Sequence, residues 1–171
     1  YYKFDNRCFK VPTYGKIFKI IDFGRSIYKF QGKIYCSDSF APGGDASTQY
    51  NCEPYYNESK PIIEPNMSFD LCRLGCSIYD FIIDEEEYEE MDELQKTIYR
   101  WCLDDDNNSI LYKKNGSERF PEFKLYKMIA RIVHNHTPEK QLEFEYFNKY
   151  EIKQEIQSEE LVDIDKIHSY I

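Results

Sequence analysis

Between Ser68 and Ile83 the chain reads Ser-Phe-Asp-Leu-Cys-Arg-Leu-Gly-Cys-Ser-Ile-Tyr-Asp-Phe-Ile-Ile, and no other stretch restricts the fold as tightly. Wound as a helix, Phe69, Leu71, Cys72, Leu74, Cys76, Ile78, Tyr79, Phe81, Ile82 and Ile83 cover nearly every direction. A helix that is apolar all round belongs in the centre of a domain. Ser68 is placed to cap its start. Its few polar residues, Asp70, Arg73, Ser77 and Asp80, then need partners, because an unpaired buried polar group is costly.

A chain of 171 residues that is 42% hydrophobic and 17% aromatic holds one domain with a real core. It opens on Tyr1 rather than Met, and the expectation is a piece of a longer protein. The net charge of −9 disfavours nonspecific binding to nucleic acid or to an anionic membrane. No apolar stretch is long enough to span a bilayer. Much of the acid lies in a run from Asp84 to Glu90 that continues to Asp92 and Glu93. It reads as a solvated loop and helix start, with an acidic docking site for basic substrates as the sharper alternative.

The six cysteines form no CxxC pair and no zinc spacing. Reduced thiols in a cytosol-like compartment fit them best, giving a cytoplasmic location, or the host cytoplasm or virion if the protein is viral. His134 and His136 lack a carboxylate or Cys in register and read as structural rather than metal-binding. The sequons Asn57-Glu58-Ser59 and Asn115-Gly116-Ser117 read as incidental in an Asn-rich chain.

Along the chain, Tyr1–Phe4 and Cys8–Val11 alternate as strands joined by a turn at Asp5-Asn6. Lys16–Ile21 reads as a third strand leading into Asp22-Phe23-Gly24. Ser26 to Cys36 looks like a hairpin turning at Gln31-Gly32-Lys33. Residues 37–67 hold four prolines and little periodicity, a long irregular segment. Beyond the 68–83 helix, further helices are expected at 91–103, 123–134 and 138–153, with a last one near 158–169 and a small hairpin around Asn115-Gly116. The class is α+β, mainly helical.

Two motifs carry a resemblance. Ile20-Ile21-Asp22-Phe23-Gly24 resembles the strand-plus-DFG segment of eukaryotic-type protein kinases, and Ser68 to Phe81 resembles the central helix of their C-terminal lobe, S-x-D-hydrophobic-x-x-L-G-C-x-hydrophobic-Y-E. Their order and separation also fit, with an enlarged activation segment between. The resemblance spans about residues 16–150, and the Asn-, Lys-, Ile- and Tyr-rich style is similar to kinase-like proteins of large DNA viruses. It implies a partial kinase domain over 1–171, mainly helical, with a small β-hairpin region at its start. Within it, 1–24 are strands ending in DFG, 25–67 the activation segment, 68–83 the central buried helix and 84–171 the C-terminal helices.

The resemblance also implies roles. Asp22 would hold Mg²⁺ against the β- and γ-phosphates of ATP, Phe23 would pack beneath the site and Gly24 would turn the backbone out of the strand. On the residues alone, Asp22-Phe23-Gly24 is also readable as a strand-end turn. Asp70 would anchor the catalytic loop, with simple capping of the helix as the alternative, and Gly75 would admit close backbone packing. At the end of the activation segment, Glu53 is the better match by sequence and Glu58 by distance to Asp70. In the family this glutamate pairs with an arginine; near His134–Lys140 there is none, and Arg131 or Lys140 would have to substitute. Ser37, Ser39, Ser47, Thr48 and Tyr50 are loop hydroxyls open to phosphorylation or simply exposed.

Phosphoryl transfer also needs a base, an Asn for the second metal, a lysine on the phosphates and a Gly-rich cover. No H-x-D-x-x-x-x-N precedes Asp22, and neither Gly-rich loop nor strand lysine is present. The expectation is a parent Ser/Thr-type kinase acting on protein hydroxyls with ATP and Mg²⁺, whose catalytic loop and N-lobe lie outside this chain. The alternative is a pseudokinase or scaffold that binds partners without transfer. Kinase-like enzymes acting on small molecules fit the central-helix motif less well.

Overall fold

The computed structural model describes residues 1–16, 18–47, 49–83, 88–154, 156 and 159–166. Among them the chain forms five helices and two small sheets, an α+β arrangement with helix outweighing strand.

The N-terminal hairpin pairs β1 (Tyr2–Phe4) with β2 (Arg7–Phe9) in antiparallel register, Tyr2 opposite Phe9. Asp5 and Asn6 both take positive φ, 49° and 57°, the two-residue turn whose twist matches the strands. The Asp165 carboxylate accepts from both of their backbone N–H groups, at 2.7 and 3.1 Å. Late chain closes the sheet on both edges. The strand β5 (Glu151–Ile152) pairs with β2, and β6 (Val162–Asp163) runs parallel to β1, giving the order β5-β2-β1-β6.

The second hairpin, β3 (Ile27–Phe30) with β4 (Lys33–Cys36), stands where its sequence puts it, with Gln31 and Gly32 at φ 50° and 76°. The described residues of 37–67 are irregular apart from a 3-10 turn at Asp38–Phe40 and an isolated bridge between Cys52 and Tyr55. Phe40, Ala46 and Cys52 give this segment a small core of its own.

The main core lies among α1 (Phe69–Ile82), α2 (Glu93–Trp101) and α3 (Phe123–Ile132). Cys72, Cys102, Ile110, Ile129 and Val133 are its fully buried centre. Asp92 caps α2 through a reciprocal bond pair with Gln95. Gly75 is required by contact: a Cβ there would stand 3.0 Å from the Cβ of Trp101 and 3.1 Å from the sulfur of Cys102. Tyr112 and Glu118 bridge around Asn115-Gly116, the small hairpin expected there.

Four expectations are corrected. Residues 16 and 18–21 form no strand, since their backbone finds no strand partner among the described residues, and Ile17 lies outside the described residues. The 138–153 helix breaks into α4 (Pro138–Gln141) and α5 (Glu145–Asn148) before β5, because sheet pairing with β2 claims Glu151 and Ile152. Near 158–169, Val162–Asp163 is strand and Ile164–Lys166 a 3-10 turn; Ser158 and 167–169 lie outside the described residues.

The largest correction concerns α1, which is not wrapped on all sides. Its buried residues are Cys72 and Gly75, while Asp70, Leu74, Ser77 and Phe81 form an exposed stripe at helical spacing, with Phe81 87% exposed. The helices α2 and α3 cover one side, and no described element covers the other. Of the acidic run, Asp84 to Glu87 lie outside the described residues; Glu89 and Glu90 are exposed.

Candidate functional site

Asp70 is the odd member of the polar set on α1. Arg73 donates to the Tyr126 hydroxyl at 3.0 Å and lies over its ring, Ser77 donates to the Arg73 carbonyl at 2.8 Å, and Asp80 accepts from the Tyr112 hydroxyl at 2.7 Å. Asp70 has no hydrogen bond or ion pair among the described residues and stays exposed. Ser68 does not cap the helix as expected. It is buried, its hydroxyl accepts from the His136 backbone at 3.0 Å, and Asn66 takes over the turn by accepting from the Ser68 N–H at 2.9 Å.

Asp70 lines a cavity of about 380 Å³ at the start of α1. Asp22 and Phe23 also line it, so the fold brings both motifs to one cavity. Asp22 sits at φ 64°, a left-handed conformation that aspartate adopts more readily than most residues. Its Oδ1 accepts weakly from the Gly24 N–H at 3.4 Å, and Oδ2 has no partner among the described residues. Phe23 is 66% exposed and lines the cavity rather than packing beneath it as expected. Ser26 fixes the turn by donating N–H and Oγ–H to the Phe23 carbonyl at 3.1 and 2.9 Å.

The apolar wall is built by long-range packing. Phe40, Tyr50 and Phe69 meet edge to face, with centroids 5.5 and 6.2 Å apart. Burial pushes the Tyr50 hydroxyl pKa upward against the bond from Gln49. From α3, Tyr126 and Phe123 complete the wall. These α3 residues carry no local sequence signal, since they reach the cavity only through the α1–α3 contact.

Glu53 and Glu58 lie elsewhere. Both are exposed and form no ion pair among the described residues, nor do Arg131 or Lys140. The expected closing ion pair is therefore not made. Asn51 does that work: its side chain donates to the carbonyls of Asn57, Lys60 and Pro61 and accepts from the Asn57 N–H at 2.6 Å. Asn57 and Asn115 fold their sequons into local turns, each side chain accepting from the serine two residues on. The loop hydroxyls of Ser37, Ser39, Ser47 and Tyr50 are half-buried rather than exposed, and Thr48 lies outside the described residues.

His134 and His136 are structural. The His134 ring meets Asp105 at 2.6 Å, and the His136 ring meets the Leu103 carbonyl at 2.8 Å. Burial holds the His136 pKa below the usual histidine value. Among the described residues no cluster of His, Cys, Asp and Glu is arranged to hold a metal, and no helix is long and apolar enough to cross a membrane.

Comparison with family models, with curated proteins and with solved structures finds no match to this chain.

Proposed function

We propose that the chain is the C-terminal-lobe part of a eukaryotic-type protein kinase domain, which transfers the γ-phosphate of ATP to protein hydroxyls. The observation that carries this reading is that Asp22 and Asp70 line one cavity, with Asp70 alone of Asp70, Arg73, Ser77 and Asp80 lacking a hydrogen bond or ion pair among the described residues. A Mg²⁺ ion takes one or two carboxylates and fills its remaining positions with phosphate oxygens and water. The free Oδ2 of Asp22 suits that donor set. The ion would neutralise charge developing on the transferred phosphoryl group. Asp70 would accept from the backbone of a catalytic loop supplied by the rest of the domain, on the stripe of α1 that nothing here covers.

A scaffold without phosphotransfer is the second reading, and unpaired Glu53 favours it, because the family's activation segment is closed by an ion pair that is not formed. The test is phosphotransfer from Mg-ATP by the full-length protein. The kinase reading expects Asp22→Asn to lower kcat by about 10²–10³ while the fold persists, the scale of losing one electrostatic contact in a transition state. It expects no transfer from residues 1–171 alone. Equal rates for wild type and Asp22→Asn would overturn it. A folded full-length protein that binds partners but transfers nothing would favour the scaffold.

A further inference from the structure

Three thiols converge where α1 meets the end of α2. Cys72 and Cys76 stand one turn apart on α1, and Cys102 ends α2 against them. Cys72 and Cys102 are 0% and 1% exposed, whereas Cys76 packs on the same cluster with part of its surface open. The junction is tight, as the position of the Cys102 sulfur against Gly75 shows.

The three are chemically unequal. The neighbouring thiols of Cys102 and Cys72 draw the Cys76 pKa down against its own burial, with Arg73 adding a weaker pull. The same contacts, together with burial, push the other two thiols up. The thiolate is the nucleophilic form. Of the three, Cys76 alone keeps part of its surface open, and its neighbours favour its thiolate.

We propose that Cys76 is an oxidation site, and that Cys102 resolves it as a disulfide across the α1–α2 junction. With hydrogen peroxide as oxidant, the Cys76 thiolate attacks one oxygen; the S–O bond forms, the O–O bond breaks and hydroxide leaves. The Cys102 thiol then attacks the sulfenic sulfur. The S–S bond forms, the S–O bond breaks, and the hydroxyl leaves as water with the Cys102 proton. Two electrons pass from the sulfur pair to the peroxide. Cys102 is the resolving partner because Cys72 is not placed for it. Side chains at i and i+4 on a helix hold their Cβ atoms about 5–6 Å apart. A disulfide needs about 3.5–4.5 Å. The bridge would fasten α1 to α2, whatever reaction the cavity serves.

The test treats the full chain with hydrogen peroxide and a sulfenate-trapping dione, then maps each cysteine by peptide mass spectrometry. Cys76 is expected to be trapped first, about tenfold or more ahead of the lone Cys8, with the preference lost in urea. Without the trap, a Cys76–Cys102 cross-linked peptide is expected, and the sulfenate is expected to accumulate at Cys76 in Cys102→Ser. The order of trapping in the unaltered chain decides the matter even if that variant unfolds. Cys76 reacting no faster than Cys8, or a bridge between Cys72 and Cys76 or between Cys36 and Cys52 forming ahead of it, would overturn the proposal.

Discussion

Residues 98–136 and residues 10–26 are comparably supplied with apolar side chains, yet the fold treats them in opposite ways. In the first, Ile98, Ile110, Ile129 and Val133 are fully buried, and the loop after α2 is held by Asp104, which accepts from the N–H groups of Asp106 and Asn108 and pairs with Arg119 at 2.7 Å. In the second, Ile20 and Ile21 are 82% and 79% exposed and no strand forms among the described residues. Apolar content alone therefore does not order a segment; a surface to bury it against does. The helical region carries that surface within the chain. The region bearing Asp22, like the open stripe of α1, presents apolar groups that no described element covers.

This contrast is breakable by mutation, measured as stability by urea unfolding. The largest loss is expected at the core: Ile129→Ala should cost about 3–4 kcal/mol, from lost burial and the cavity left behind. Asp104→Ala should cost about 2–3 kcal/mol, since it strips the loop N–H groups of their acceptor and leaves Arg119 unpaired. Gly75→Val should cost about 1–3 kcal/mol, because its side chain meets Trp101 and Cys102 across the α1–α2 junction. On the open side, Leu74→Ser and Phe81→Ser should change stability by no more than about 0.5 kcal/mol. A loss of about 2 kcal/mol from Phe81→Ser, the size of a buried deletion, would show that the stripe is covered within this chain.

Acidification should separate two groups within the packed region. The folded pKa of His136 is lowered by burial. Its neutral form is the one the fold favours, so its contribution is complete above the unfolded value near 6.5 and declines as pH falls below it. For Asp104, burial acts to raise the pKa, but the N–H of Asn108 and the Arg119 guanidinium outweigh it and hold the carboxyl low. Its contribution is therefore present above the unfolded value near 3.9 and lost only as pH falls through the lower folded one. Stability followed against pH should show a first decline in the His136 window, absent in His136→Gln, and a second at stronger acid, absent in Asp104→Asn.

The parts legible in the sequence are those set by local chemistry. Asp5-Asn6 and Gln31-Gly32 specify two-residue turns. What was not legible depended on distant chain. Glu151 and Ile152 look helical until β2 offers them a strand partner. The apolar circumference of residues 68–83 gives a helix but not what surrounds it. At the site, the two motifs single out Asp22 and Asp70 as candidates, but the cavity they share, like the approach of Tyr126 and Phe123, comes from tertiary packing. Asn51, which ties residues 57–61 of the irregular loop together, has no sequence pattern that distinguishes it from other loop asparagines.

The central claim is that the Asp22 carboxylate receives a nucleotide-bound divalent ion on the cavity it shares with Asp70. Titrating the chain with Mn²⁺-ATP and reading paramagnetic broadening residue by residue tests it most directly. The account predicts broadening centred on Asp22 to Gly24 and extending to Asp70, and its loss in Asp22→Asn. Broadening confined to the acidic run that ends at Glu93, or a pattern unchanged by Asp22→Asn, would contradict it.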